Sequence, residues 1–260
     1  MRSAILLLVL ACHCCSLGAQ TDAFSTTIEK VKSSIVPVAC ATWPDTKMES
    51  SVKEIEGTGF FVSYEGDFVT AAHVIKDHFA WNRKGEPEAD CFPIIYLPAS
   101  AWQSPGRKWF AFGPCAMDSD IDVAVCKTAL NPFMDSGLHI NRLRLASLVP
   151  PDGTAVAFTG FPQHILLPIT SRANIAATGA FLAAGQMDIV VDKTVWHGVS
   201  GGPLYLADGT VIGIVIKMGE ELWSGLGFAR QTSAILKFLV ANHVRVWEPE
   251  PEQTKQKNKK

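Results

Sequence analysis

A chain of 260 residues, of which 48% are hydrophobic, is long enough to bury a large core and to form one or two domains. Its formal net charge of −2, with no basic stripe interleaved with aromatic residues, argues against a nucleic-acid-binding protein. The 20 glycines and 15 prolines are compatible with many short strands joined by turns.

Residues 1–19 are predicted to be a signal peptide. Met1 and Arg2 supply a positive start, residues 4–11 form an apolar run too short for a permanent membrane span, and residues 16–19 offer small side chains for cleavage. The prediction is therefore a secreted or cell-envelope protein. A competing interpretation is a lipoprotein signal at residues 9–12, in which Cys12 would carry a lipid anchor. No later segment predicts a membrane span.

Four cysteines follow the signal region, namely Cys40, Cys91, Cys115 and Cys126. An even number in an exported chain allows two disulfide bonds in any of three pairings, and four buried thiols remain an equal alternative. Because no Cys-x-x-Cys pair occurs, the spacing argues against a zinc site.

Short apolar segments recur along the chain after a first helix predicted at residues 24–34. A hairpin turns at Glu65-Gly66, and one helical turn follows at residues 73–77. The strands of the first half are predicted at 35–41, 55–63, 67–70, 92–97, 108–112 and 121–127. Residues 131–141 connect them to a second set at 143–146, 155–160, 169–179, 187–191, 203–206, 211–217 and 225–229.

Strands at this spacing, without interleaved helices, predict an all-β fold of antiparallel barrels or sandwiches. A last helix at residues 233–243 is expected to pack through Ile235, Leu236, Leu239 and Val240. Residues 248–260 are predicted to form a disordered, charged tail.

The segment Gly198-Val199-Ser200-Gly201-Gly202-Pro203 places a serine in a glycine-rich turn. Glycines remove side-chain bulk, so backbone N–H groups can turn toward a reacting carbonyl while the hydroxyl stands clear for attack. Taken alone, this pattern is equally compatible with a glycine-rich hairpin that holds an incidental serine.

Two upstream stretches complete a pattern with this turn. The first runs from Gly57-Thr58-Gly59-Phe60-Phe61 through Thr70-Ala71-Ala72-His73, and the second is Asp120-Ile121-Asp122-Val123-Ala124-Val125. Together the three stretches resemble the signature blocks of the trypsin/chymotrypsin-like serine peptidases. The first of them, with Gly-Leu-Gly-Phe-Ala at residues 225–229, is most similar to the HtrA (Deg) branch.

The resemblance covers residues 27–244 and implies two six-stranded antiparallel β-barrels with an active site between them. The protease domain would span residues 20–247, with a first barrel at 35–130 and a second at 143–231. No residues are left for a PDZ domain, so a protease domain alone is expected.

The resemblance implies His73 as the general base, Asp122 as its orienting carboxylate and Ser200 as the nucleophile. A serine hydroxyl needs such a base, because it is a poor nucleophile until a neighbour removes its proton. Of the competing histidines, His78 is expected at the surface, and His197 is expected to line the substrate cleft or to be exposed.

Among the carboxylates, Asp118 and Asp120 are interpreted as loop charges. Asp122 is preferred because it begins Asp-Val-Ala-Val, whose alternation places Asp122 and Ala124 on one face of a strand.

The backbone N–H groups of Gly198 and Ser200 are expected to form the oxyanion hole. Val199 departs from the zymogen-activated trypsins, which carry an aspartate there to pair with a new amino terminus. Because valine cannot accept that ion pair, activation by amino-terminal cleavage is not expected. A preformed loop and a ligand-induced loop both remain open.

By resemblance, Thr194 lies at the base of the specificity pocket and Gly227 on its far wall. Ile216, Lys217 and Met218 would form the strand that pairs with substrate. With no acidic residue at the base, we predict a small or medium apolar substrate side chain, whereas Lys217 and His197 leave an acidic one as the alternative. The implied partner is a peptide or protein substrate, without cofactor or metal.

Two other functions fit parts of the pattern. Gly-Val-Ser-Gly-Gly also matches a lipase/esterase nucleophile elbow, but that elbow needs a helix after the turn and a histidine downstream, where only His243 is found. A protease-like fold used only for binding is the stronger alternative.

Overall fold

Seven antiparallel strands build the first half of the fold. The computed structural model describes residues 22–41, 52–87, 91–101, 108–181, 187–219 and 223–246. The strands are β1 (Ile35–Ala41), β2 (Val52–Phe61), β3 (Asp67–Thr70), β4 (Phe92–Tyr96), β5 (Trp109–Ala111), β6 (Ala116–Asp118) and β7 (Val123–Lys127). Their order across the sheet is β5-β4-β1-β2-β3-β7-β6.

This sheet curls toward closure at one end. The backbone N–H of Ala129, after β7, donates to the carbonyl of Ala111 in β5 at 2.8 Å. The sequence predicted a six-stranded barrel here, whereas the described residues form a seven-stranded half-barrel. The additional strand, β6, was missed because it has only three residues and no clear alternation.

Six strands close the second barrel, as the resemblance implies, but the strand predicted at 143–146 is wrong, because in that segment only Leu145 forms an isolated bridge, to Val211. The six strands are β8 (Ala155–Gly160), β9 (Ile169–Gly179), β10 (Asp188–Val191), β11 (Pro203–Tyr205), β12 (Val211–Met218) and β13 (Gly227–Gln231). The closed order is β10-β13-β12-β11-β8-β9. The predicted all-β, chymotrypsin-like architecture is confirmed.

One apolar cluster joins the two halves. Phe60 and Val62 of the first half pack in the same cluster as Ala157 and Tyr205 of the second barrel, and all four are buried. Burying a side chain the size of Phe60 stabilises a fold by about 1.5–3 kcal/mol. The shared core therefore holds the two halves in a fixed position relative to each other.

Within the described residues, three α-helices pack against these sheets: α1 (Ala23–Lys32), α2 (Ala72–Lys76) and α3 (Thr232–Ala241). In α3, Ile235 and Leu239 are buried as expected, whereas Val240 is 58% exposed, so its predicted packing is wrong. No helix within the described ranges is long and apolar enough to span a membrane. The predicted signal peptide, Cys12 and the predicted tail at 248–260 lie outside the described residues.

The four cysteines form two bonded pairs in the first half. Cys40 of β1 is joined to Cys91, which precedes β4, and Cys115, which precedes β6, is joined to Cys126 of β7. Of the three pairings that the sequence left open, the fold selects this one because β1 pairs with β4 and β6 pairs with β7.

Candidate active site

His73 lies on α2, the short helix that begins directly after β3. The apolar residues Ala72, Val74 and Ile75 are buried against the first half-barrel. Because these neighbours occupy the inward face of a single helical turn, the side chain of His73 is left on the opposite side and is 37% exposed.

His73 and Asp122 make two contacts across 49 residues of sequence. The Nδ1 atom of His73 lies 2.8 Å from Oδ2 of Asp122, and the backbone N–H of His73 donates to Oδ1 at 3.0 Å. Two hydrogen bonds from one residue hold the carboxylate of Asp122 against the imidazole of His73. With Nδ1–H as the donor, Nε2 is the nitrogen left to accept a proton.

Asp122 occupies a turn before β7, which corrects one detail of the prediction. Its φ angle is 55°, in the left-handed region. The predicted strand alternation, in which Asp122 and Ala124 share one face, therefore does not extend to Asp122. Asp118, interpreted above as a loop charge, stabilises the turn, because its Oδ1 accepts from the N–H groups of Asp120 at 2.9 Å and Ile121 at 3.3 Å.

The competing histidines lie elsewhere. Nδ1 of His78 is 2.7 Å from Oε2 of Glu56, so this histidine, just beyond the end of α2, contacts a different carboxylate. His197 is exposed in the turn that precedes Ser200. Of these histidines, His73 is the one that contacts Asp122.

The serine turn is bonded to the first half-barrel through Thr58. The N–H of Thr58 donates to the carbonyl of Ser200 at 2.8 Å. A Cβ atom on Gly57 would lie 2.6 Å from Val74 and 3.0 Å from the same Ser200 carbonyl. Because Val74 follows His73, the turn with Ser200 lies directly against the helix that carries His73.

The peptide between His197 and Gly198 is held in one orientation. The carbonyl of His197 accepts from the N–H of Gln163 at 2.9 Å. In a trans peptide the N–H points opposite to the carbonyl, so the N–H of Gly198 is directed away from Gln163. Gly198 has a φ of 87° and no room for a Cβ beside the carbonyl of Phe161.

The next peptides are held in the same manner. The carbonyl of Gly198 accepts from the hydroxyl of Thr58 at 2.7 Å, and the carbonyl of Val199 accepts from Gly202 N–H at 2.8 Å. Among the residues that the structure describes, the N–H groups of Gly198 and Ser200 donate to no protein acceptor. Two oriented donors are therefore available to a ligand oxygen.

Val199 explains how the turn is stabilised without an ion pair. Its side chain is 3% exposed and belongs to the apolar core of the second barrel with Phe158 and Leu204. A Cβ on Gly160 would lie 3.0 Å from both Cα and Cγ1 of Val199, so the packing is tight. Apolar burial here takes the place of the aspartate that the zymogens use.

Thr58 is the residue that the sequence reasoning missed. Its hydroxyl donates to Gly198, accepts from Phe161 N–H at 3.0 Å, and is fully buried. Its own carbonyl accepts from the hydroxyl of Thr70 at 2.7 Å. The only available signal was its place between two glycines in the first signature block.

The residues predicted to form the specificity pocket differ in how far the structure exposes them. Thr194 is half-buried before the serine turn, and Gly227 is buried against the Val195 side chain, with 3.0 Å from a Cβ position to the carbonyl of Lys193. Ile216 is only 6% exposed, because it packs in an apolar cluster, so it can offer substrate little more than its backbone.

Lys217 and Met218 extend β12, where they pair with Phe228 and Gly227 of β13. Their side chains lie outside the described part of the structure, so the alternative that relied on Lys217 stays a prediction.

Asp192 anchors the segment that leads to Thr194. Its carboxylate accepts from the side-chain amide of Asn174 at 2.8 Å and from the Asn174 N–H at 2.6 Å. These hydrogen bonds, the side-chain one first, hold the pKa of Asp192 below its ordinary value of 3.8. The carboxylate thus fixes the end of β10 just before Thr194.

Comparisons with known proteins identify the family of the chain. Residues 57–214, more than half of the chain, match the family model described as trypsin-like peptidase domain. Serine protease HTRA4 from Homo sapiens is 26% identical over 224 residues, which cover 83% of this chain and 40% of that protein's length. The Rv3671c protease from M. tuberculosis, in its active form, has the same fold, with a TM-score of 0.60, 20% identity and 86% of each chain covered. The chain is thus similar to HtrA proteases, and it belongs to the trypsin-like peptidase family.

Proposed function

We propose that the chain is a serine endopeptidase in which His73 is the general base, Asp122 orients it and Ser200 is the nucleophile. The observation that carries the proposal is the paired contact of Asp122 with the ring and the backbone of His73. The serine turn, bonded through Thr58 against the same helix, supports it. This arrangement supplies a base, its orienter and a nucleophile in one cleft.

In the acylation step, the hydroxyl oxygen of Ser200 attacks the scissile carbonyl while Nε2 of His73 takes its proton. Asp122 stabilises the resulting imidazolium through Nδ1–H and stays ionised. The tetrahedral intermediate collapses when the amine leaves with the proton from His73, and an acyl-enzyme remains. Water then attacks the acyl-enzyme with His73 again as the base, which releases the acid and restores Ser200.

The oxyanion in both steps would accept from the N–H groups of Gly198 and Ser200. The carbonyls on either side of these groups are already bonded to Gln163, Thr58 and Gly202, so little reorganisation is needed when charge develops. Of the two alternatives left by the sequence, this geometry favours a preformed loop. Loss of one such donor typically costs about a hundred- to a thousandfold in rate.

For the substrate, we propose a small or medium apolar side chain at the residue that donates the scissile carbonyl. Thr194 offers no charge, and the close packing of Gly227 on Val195 narrows the adjacent wall. A pocket without an acidic group at its base would desolvate an arginine or lysine side chain without a partner, which is costly. Cleavage-site profiling on a mixed peptide library tests this, and a preference for acidic residues would refute it.

We propose that the protein works outside the cytoplasm, in the cell envelope or secreted, after removal of residues 1–19. The supporting observation is the two bonded pairs of cysteines in the first half-barrel, a feature of oxidising compartments. Closing the 51-residue loop between Cys40 and Cys91 is expected to stabilise the fold by about 4 kcal/mol. Mass spectrometry of the exported protein would detect both bonds, and a lipid on Cys12 would show as an added mass.

A fluorophosphonate probe tests the enzymatic proposal directly. We expect covalent labelling of Ser200 that is abolished in Ser200→Ala and in His73→Ala, with turnover reduced at least about a thousandfold. Ser233→Ala, which removes an exposed serine on α3, is the matched control and should label normally. A correctly folded protein that does not label would instead favour the catalytically silent binding module.

A further inference from the structure

Arg230 connects the second barrel to the turn that holds Asp122. It lies on β13, its side chain is 3% exposed, and its Nε–H donates to the carbonyl of Ile121 at 3.1 Å. Ile121 immediately precedes Asp122, although 109 residues separate it from Arg230. This hydrogen bond therefore reaches from the barrel of Ser200 to the backbone of the orienting carboxylate.

The guanidinium is itself fixed by a buried carboxylate. Asp188 is the cross-strand neighbour of Arg230 on β10 and is fully buried, with its Oδ1 2.9 Å from Nη1 of Arg230. The two side chains therefore form a buried ion pair. The other oxygen, Oδ2, accepts from the N–H of Phe181 at 3.3 Å. Because Asp188 neutralises its charge, the buried guanidinium of Arg230 can hold its Nε–H in one fixed position toward Ile121 without contact with solvent.

Asp122 needs support of this kind because of its backbone. A φ of 55° is sparsely populated for a residue with a side chain and persists only where the surroundings over-determine it. In the described residues, both hydrogen bonds to its carboxylate come from His73, so no third group sets its direction. Asp118 holds the turn from one side, and the bond from Arg230 holds the peptide next to Asp122.

We propose that Arg230 is a positioning residue for the active site, which it serves by locking the peptide between Ile121 and Asp122 in the orientation that aims the carboxylate at His73. This inference rests on the proposed peptidase function. In this proposal the ion pair of Arg230 and Asp188 does more than stabilise the fold. It also aligns the half-barrel that carries His73 and Asp122 with the barrel that carries Ser200.

Arg230→Lys is the decisive variant. Lysine keeps the positive charge beside Asp188, but its methylene Cε takes the place of Nε, so the bond to Ile121 is lost while the buried charge stays paired. We expect a fall in kcat of about 30- to 100-fold with KM changed less than about twofold, as for small misplacements of a catalytic group. Unchanged kcat in a folded Arg230→Lys protein would overturn the proposal.

A second variant separates positioning from stability. In Arg230→Met combined with Asp188→Leu, an apolar pair replaces the ion pair, which often preserves or raises stability. We expect the folded double variant to be as slow as Arg230→Lys. Full activity in it would refute the positioning role. Arg144→Met, which removes an exposed arginine paired with Asp208, is the matched control and should keep wild-type kcat.

Proton NMR gives a readout that does not depend on turnover. The deshielded proton between Nδ1 of His73 and Asp122 should be sharp in the wild type and in Arg144→Met, and broadened or shifted in Arg230→Lys. If the wild type neither labels nor cleaves but this change is seen, the proposed function fails and the positioning role stands. If the wild type is active and the signal is the same in all proteins, the positioning role fails alone.

Discussion

Thr58→Val tests whether one buried hydroxyl sets the shape of the oxyanion loop. The substitution keeps the volume of the side chain and removes two hydrogen bonds, the donation to the Gly198 carbonyl at 2.7 Å and the acceptance from Phe161 N–H at 3.0 Å. The backbone bond from Thr58 to Ser200 is untouched, so the turn stays attached to β2.

The magnitude follows from the two groups that would lose their partner. Each buried donor or acceptor left unpaired costs about 1–3 kcal/mol, and the added methyl group returns about 0.8 kcal/mol. We therefore expect Thr58→Val to lower the free energy of unfolding by about 3 kcal/mol. With the Gly198 carbonyl released, the neighbouring peptide can rotate, and we expect fluorophosphonate labelling to slow about 10- to 100-fold.

The assay compares Thr58→Val with Thr58→Ser in urea unfolding and in labelling rate. Thr58→Ser keeps the hydroxyl and loses one buried methyl, so it should cost about 1 kcal/mol and label at nearly the wild-type rate. If Thr58→Val unfolds within about 1 kcal/mol of Thr58→Ser and labels as fast as the wild type, the reasoning about the loop is refuted.

Three further substitutions test the surroundings of the site. Gly201→Ala should reduce labelling strongly and destabilise by at least about 3 kcal/mol, because a Cβ there would overlap the carbonyl of Thr58 at a φ of 86°; Gly153→Ala, with a φ of 81° and open space, should cost only about 1 kcal/mol in the same melts. Val199→Asp should lower the free energy of unfolding by about 3–5 kcal/mol by burying a charge without a partner, and equal stability to the wild type would show that the site is not apolar. Asp192→Asn should be less stable than the wild type at pH 7, and the difference should shrink as the pH falls below 3.8 towards the lowered pKa of the folded state, because a lowered pKa stabilises the fold only while the carboxyl is ionised; a difference that did not shrink between pH 7 and pH 2 would contradict this.

The strands were predictable where the local pattern and the fold agree. Ile35–Ala41, Asp67–Thr70 and Ile169–Gly179 have the predicted bounds, because turn-forming residues such as Gly66 and Pro168 lie next to strand-forming ones. β6 was not predictable, since Ala116–Asp118 becomes a strand only by pairing with β7. The predicted burial of Val240 is wrong for a related reason, because helical spacing does not determine how wide the buried face of α3 is.

The candidate site was likewise predictable from the sequence only in part. The residue types of His73, Asp122 and Ser200, each within a distinctive local block, were available from the sequence. The φ of 55° at Asp122, the hydroxyl of Thr58 on Gly198 and the reach of Arg230 to Ile121 were not, because each depends on contacts between segments more than 45 residues apart or on a backbone state that only those contacts maintain.

By itself, then, the sequence determined that the chain forms short antiparallel strands, and it marked which side chains could act as base, carboxylate and nucleophile. Only the tertiary structure decided that Asp122 bonds His73, that Cys40 meets Cys91, and that the N–H groups of Gly198 and Ser200 have no acceptor among the described residues. The physical reason is that periodicity and turn chemistry act over a few residues, whereas hydrogen-bond partners and buried ion pairs are selected by the packing of one half-barrel against the other.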